Sequence, residues 1–195
     1  RFIERWFNKQ LLPDSKSLPP GSLDPRESMA LQEVLNDQNF FPETDVGRRD
    51  QLIFKLLDQG VRAGELLKLQ VGDINSSYRL SQDRSIGIIS IARRPNDADD
   101  SRVREPSVKT RPGILPIPKR LAQSLITYVT EIRRPAIDTR ADGKETPYLF
   151  VNLTGRHTGL PLSQRNLNRI VSKLKGRCGL PSSLKPHTLR HTHFT

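Results

Sequence analysis

The chain ends His187-Thr188-Leu189-Arg190-His191-Thr192, and residues of these types at this spacing can handle a phosphate. His187 and Arg190 stand three apart, so a helix carries both on one face. Pro186, just before them, suits the first turn of such a helix, where its missing N–H costs nothing. A guanidinium fork grips two phosphate oxygens without ever losing its charge, and an imidazole moves protons near neutral pH. The free N–H groups of a helix start add to the same seat. The matching chemistry is phosphoryl transfer without a metal: fixed cations meet the charge on the nonbridging oxygens, and the leaving oxygen receives a proton. A metal reading of His187 and His191, four apart, is weaker. A zinc-protease helix needs Glu directly after the first His, and here Thr188 stands there with no carboxylate nearby. No metal site is expected, His191 is expected to support its neighbours, and His193 to lie on the surface or in the core.

The charge balance points to the same kind of partner. Among 195 residues, 32 are Lys or Arg against 21 Asp or Glu, a net charge of +11 and a pI near 10.3. Such a surplus favours a polyanion, of which nucleic acid is the commonest. An anionic membrane is the rival, but no apolar run approaches ~20 residues and no single basic amphipathic helix is evident. With Cys178 alone, no intrachain disulfide or cysteine metal site can form, which suits a reducing cytoplasm.

These residues need elements to position them. Phe2, Ile3, Trp6 and Phe7 fall at helical spacing over residues 1–12, and a Pro-rich linker follows to Pro25. Asp24 reads as the N-cap of a helix running to about Asn36. Arg48–Gln59 forms a second helix with Leu52, Ile53, Leu56 and Leu57 on its apolar face and Gly60 as its stop, and a third runs from Ala63 to Leu69. Three strands are then expected, at Ile86–Ile91, Arg102–Val108 and Ile114–Ile117. The acidic turn Asn96–Ser101 between the first two is expected to be solvated, and Lys109 to sit at the tip of the second hairpin. Lys119–Arg133 reads as a helix with Leu121, Leu125, Val129 and Ile132 inward, and Tyr148–Val151 as a short apolar segment. Ser163 caps a helix carrying Leu167, Ile170, Val171 and Leu174. The expected fold is mainly α with a small antiparallel three-stranded β-sheet, as an N-terminal helix tail and linker over 1–21 and one domain over 22–195.

Two further stretches turn the terminal motif into a recognisable set: Gly60-Val61-Arg62-Ala63-Gly64-Glu65-Leu66 and Val108-Lys109-Thr110-Arg111. In this order, with Leu160-Pro161-Leu162-Ser163 before the last box, the chain resembles the catalytic domain of the tyrosine recombinases, the phage-type integrases, over roughly Leu23 to Thr195. The resemblance implies that Arg62 and Arg190 stabilise the phosphate, Lys109 acts as general acid and His187 assists proton transfer. Glu65 is then expected to orient Arg62, and His191 to stand behind the site. Without that context, Arg62 and Glu65 read as a surface ion pair and Lys109 as a solvated turn residue. Arg93, Arg94, Arg102, Arg104 and Arg111 form either a solvated face or a surface for the DNA backbone, which needs charge rather than sequence.

The resemblance further implies site-specific cutting and rejoining of double-stranded DNA through a 3′-phosphotyrosine, with no cofactor, by a cytoplasmic, nucleoid-associated enzyme working as a tetramer on DNA. It would serve a phage or other mobile element, as integrase or transposon recombinase. Two alternatives stay open: a DNA-binding module without chemistry, and a type IB topoisomerase-like enzyme. Tyr78, Tyr128 and Tyr148 all precede the terminal box and read as structural. The start at Arg1, without Met, and the end at Thr195, before any later tyrosine, suggest a fragment inactive by itself.

Overall fold

The computed structural model describes residues 25–37, 40–81, 84–108 and 111–178. The expected helix over 1–12, the linker, the Asp24 cap and the helix at Pro186 lie outside these residues. Helix α1 spans Pro25–Asn36 and α2 spans Asp45–Asp58. The second begins three residues earlier than its apolar pattern, because the Thr44 hydroxyl caps it by accepting from the Gly47 N–H at 3.1 Å. At its other end Gly60 takes φ +89°, which lets the Gly60 and Val61 N–H groups close on the Leu57 and Leu56 carbonyls. This is a Schellman stop, and it turns the chain at once into α3, Ala63–Lys68.

The sheet has three antiparallel strands in sequential order: β1 Ile74–Ser81, β2 Arg84–Ile91 and β3 Gly113–Ile117. Ile74 pairs with Ile89 across β1 and β2, and Gly87 with Ile117 across β2 and β3. The number and direction of strands agree with expectation, but their membership does not. Arg102–Val108 is irregular chain, not a strand, and β1 takes the third place. Pro106 cannot donate to a ladder, and the polar run Asn75-Ser76-Ser77 hides β1 from a search for alternation.

Helix α4, Lys119–Tyr128, runs into a wider turn at Val129–Arg133 and then α5, Arg134–Asp138. The widening falls before Pro135, whose ring crowds the carbonyl four residues back. It turns Arg133 inward, where Nε donates to the Tyr148 carbonyl at 2.9 Å and Nη2 to that of Thr146. Helix α6, Gln164–Cys178, starts with the Ser163 hydroxyl accepting from the Asn166 N–H at 3.2 Å. The apolar faces read from the sequence meet in one core. Leu52, Ile53, Leu56 and Leu57 of α2 and Leu121 and Leu125 of α4 join Leu167, Ile170, Val171 and Leu174 of α6. Leu149 and Phe150 lie among them, and Ile89 and Ile117 bring in the sheet.

Candidate active site

Arg62 is the residue before α3, in extended conformation, and its side chain is 41% exposed. Glu65, one turn on and buried, receives the Arg62 backbone N–H on Oε2 at 2.8 Å and holds the guanidinium with Oε1 at 3.5 Å. A single carboxylate thus fixes the start of the helix and pairs with Nη1 of the Arg62 guanidinium, while the side chain stays 41% exposed. That arrangement suits a cation awaiting an anion better than a pair satisfied at the surface.

Gly64 explains how a second segment reaches this place. A Cβ on Gly64 would stand 2.1 Å from the Ser107 carbonyl oxygen, so the chain at 107 lies directly on the first turn of α3. Only glycine allows that approach. Val108 beyond it is buried. Chain connectivity therefore carries the segment leading to Lys109 onto the helix that Arg62 precedes. Lys109, His187, Arg190 and His191 lie outside the described residues.

The loop between β2 and β3 is fixed from beneath by charge. Lys68, in the last turn of α3, is 1% exposed. Its Nζ is 2.9 Å from Asp100 Oδ2, 3.2 Å from the Tyr148 hydroxyl and 3.8 Å from Asp97 Oδ2, and it also bonds Glu105 Oε1. Tyr148 donates to Asp97 Oδ2 at 2.6 Å. Arg102 donates to both Asp100 oxygens at 2.7 Å, reaches the Leu67 and Leu162 carbonyls at 2.8 and 3.0 Å, and lies 4.3 Å over the Tyr148 ring. Arg94 forks onto Asp73 at 2.6 and 3.0 Å.

The expectation of a solvated acidic turn holds for Asn96, Ala98, Asp99 and Ser101, which are exposed, and fails for Asp97 and Asp100. Asp100 has only 2% of its side chain exposed, and Asp97 is also largely covered, because a buried lysine draws the acids in. Burial opposes ionisation of Asp100, but hydrogen bonds from Arg102 and Lys68 outweigh it and hold its carboxyl far below the usual range. For Asp97 burial is likewise outweighed, by the Tyr148 hydroxyl, the Asp99 N–H and Lys68. Burial and donation to Asp97 push the Tyr148 phenol well above its ordinary value. Lys68 escaped the sequence reading. Its one signal was a charge inside Leu66-Leu67-Lys68-Leu69, with acids a loop away.

Of the five arginines on the DNA-facing expectation, Arg93, Arg104 and Arg111 are exposed. Arg94 and Arg102 spend their guanidiniums on the internal partners just described. A second basic surface was also missed: a cleft of about 550 Å³ walled by Arg102, Arg156, His157, Arg165 and Arg169, with Asn166 among its polar groups. Its signal was Arg165 and Arg169, four apart on a helix whose Leu167, Ile170 and Val171 point inward.

Among known proteins, the chain matches the Phage integrase family over residues 30–195 and belongs to that family. The tyrosine recombinase XerC of Oceanobacillus iheyensis is 30% identical over 203 residues, covering 100% of this chain and 56% of that protein. XerC of Syntrophus aciditrophicus is 32% identical over 158 residues, covering 80% of this chain and 42% of that protein. The chain thus spans about half the length of the curated relatives it matches. The fold is that of the XerH site-specific recombinase bound to its difH substrate, at TM-score 0.56 and 21% identity over 94% of this chain and 44% of that one. It is also that of the XerA recombinase, at TM-score 0.54 and 22% identity over 94% of this chain and 50% of that one. Among the described residues no helix is long and apolar enough to cross a membrane.

Proposed function

We propose that this chain is the phosphate-activating part of an enzyme that cuts and rejoins double-stranded DNA at specific sites. The observation that carries this is Arg62: a guanidinium paired through Nη1 with a buried carboxylate yet 41% exposed, with the segment leading to Lys109 lying on the same helix. Family membership supports the rest. A tyrosine other than Tyr78, Tyr128 and Tyr148 attacks the scissile phosphorus, its phenolic proton passing to the His187 imidazole as its oxygen forms the new P–O bond and the bond to the 5′ oxygen breaks. That oxygen takes a proton from Lys109 and leaves as a free 5′-hydroxyl, with a 3′-phosphotyrosine behind. Arg62 and Arg190 hold the nonbridging oxygens and His187 shares in proton transfer. A second 5′-hydroxyl reverses the step, so the bond energy is conserved without a nucleotide cofactor.

Arg93, Arg104, Arg111 and the cleft at Arg165 and Arg169 supply phosphate-backbone contacts. The enzyme works as a tetramer on DNA, in the cytoplasm at the nucleoid. Trapping assays on the recombinase bearing this chain and its tyrosine test the reading. Arg62→Ala or Arg190→Ala should abolish the covalent protein–DNA adduct while mostly sparing binding. Undiminished adduct in either variant refutes the role of that arginine in holding the phosphate.

A further inference from the structure

The ammonium of Lys68 has three hydrogens to give, and Asp100, Glu105 and Tyr148 meet them. The carboxylates around it come from positions 97, 100 and 105 of one loop, so a single side chain closes that loop at three points. Glu105 also ties the loop to itself, its oxygens accepting the Asn96 and Asp97 N–H groups at 3.2 Å. Arg102 fastens the middle to α3 through the Leu67 carbonyl, and Ser107 rests on Gly64. Arg62 precedes the same short helix that Lys68 ends, about 9 Å of helix between them. Three attachments thus refer the loop to the element that presents Arg62.

We propose that Lys68 is a positioning residue: acting through Asp97, Asp100 and Glu105, it fixes the loop over 93–108 on α3 and so sets the point from which Lys109 enters the phosphate site. Lys109 follows buried Val108 directly in the sequence. The inference rests on Lys109 being the general acid of the proposed function. An exposed, unfastened loop would leave that lysine to search for the 5′ oxygen. A clamped one narrows that search to what a fixed attachment allows.

The test uses the recombinase with its nucleophilic tyrosine and two DNA substrates, one ordinary and one with sulfur in place of the bridging 5′ oxygen. A thiol ionises at about pH 8.5, so the sulfur leaves as a thiolate and needs no acid. Lys68→Met should slow cleavage of the ordinary substrate about 10²-fold, the lower range for a positioned acid. It should leave the sulfur substrate near the parent rate and DNA affinity unchanged. Glu105→Gln, a milder change at a partly exposed member of the cluster, should shift the two rates in the same sense by less. It decides the matter if Lys68→Met fails to fold. Equal slowing of both substrates in the folded variants means the cluster serves the fold alone, and overturns the proposal. Lys109→Met is run beside them. If it too slows both substrates equally, the assignment of the acid has failed, and the inference falls with it.

Discussion

Around Phe54 and Leu57 the interior is apolar side chain against apolar side chain. Around Lys68 it is ammonium and guanidinium against carboxylate and phenol. Both regions are buried, yet they differ in what they demand. The apolar core tolerates rearrangement because its contacts are nondirectional and numerous. The charged cluster does not, since each partner is one of a few groups at fixed angles and removal leaves a buried charge unpaired. The protein therefore has a forgiving body and an exacting loop, and the exacting part is fastened to the helix that Arg62 precedes.

The contrast can be broken at several levels. Leu57→Ala should have the largest effect on stability, about 3 to 5 kcal/mol by urea unfolding, as for other fully buried leucines. That loss should be nearly the same at pH 7 and pH 3. Lys68→Met should cost about 3 kcal/mol, and its cost should depend on pH. Asp97 and Asp100 have depressed folded values, so their contribution is complete above the unfolded value near 3.9 and is lost as pH falls through the folded values. Unfolding titrated from pH 7 to pH 2 should show that loss in the parent and a flatter profile in Asp100→Asn. An unchanged profile would mean that Asp100 contributes nothing to the acid sensitivity.

Smaller effects sharpen the picture. Gly64→Ala must displace Ser107, so DNA cleavage should fall more than tenfold while urea stability changes by about 1 to 2 kcal/mol, as for a locally overpacked site. Arg104→Ala and Arg111→Ala should each reduce the slope of log affinity against log salt by about 1, uniformly over DNA sequences. Arg102→Ala, by contrast, should lower loop protection in hydrogen exchange, because its partners are internal. Least of all, Arg134→Ala should leave the urea midpoint essentially unmoved, its pairs with Asp138 and Glu145 being exposed.

The same contrast governs what the sequence discloses. Helices α2, α4 and α6 were legible because burial repeats with the helical period, and every inward residue named for α2 and α6 is in the core. Capping chemistry at Gly60 and Ser163 was equally plain. Periodicity says nothing of charge networks, whose partners sit at irregular separations: Lys68 finds Asp97, Asp100, Glu105 and Tyr148 across 29 to 80 residues of chain. An acidic run reads as solvated until the buried cation that attracts it is known. Arg62 and Glu65 were legible as neighbours one turn apart, but the openness of the guanidinium and the approach of Ser107 to Gly64 were not, since both depend on how a distant loop packs.

Two phenols of this interior are withdrawn from reactivity altogether. Tyr128 is buried and its ionisation is pushed up to about 12, while the Tyr148 hydroxyl is committed to Asp97 and Lys68. Both shifts work against an ionised phenol at either position. For the enzyme proposed above, DNA gathered on the surface is thereby kept from capture on the wrong side chain, and fidelity in choosing the attacking atom is built into the interior before any target is recognised.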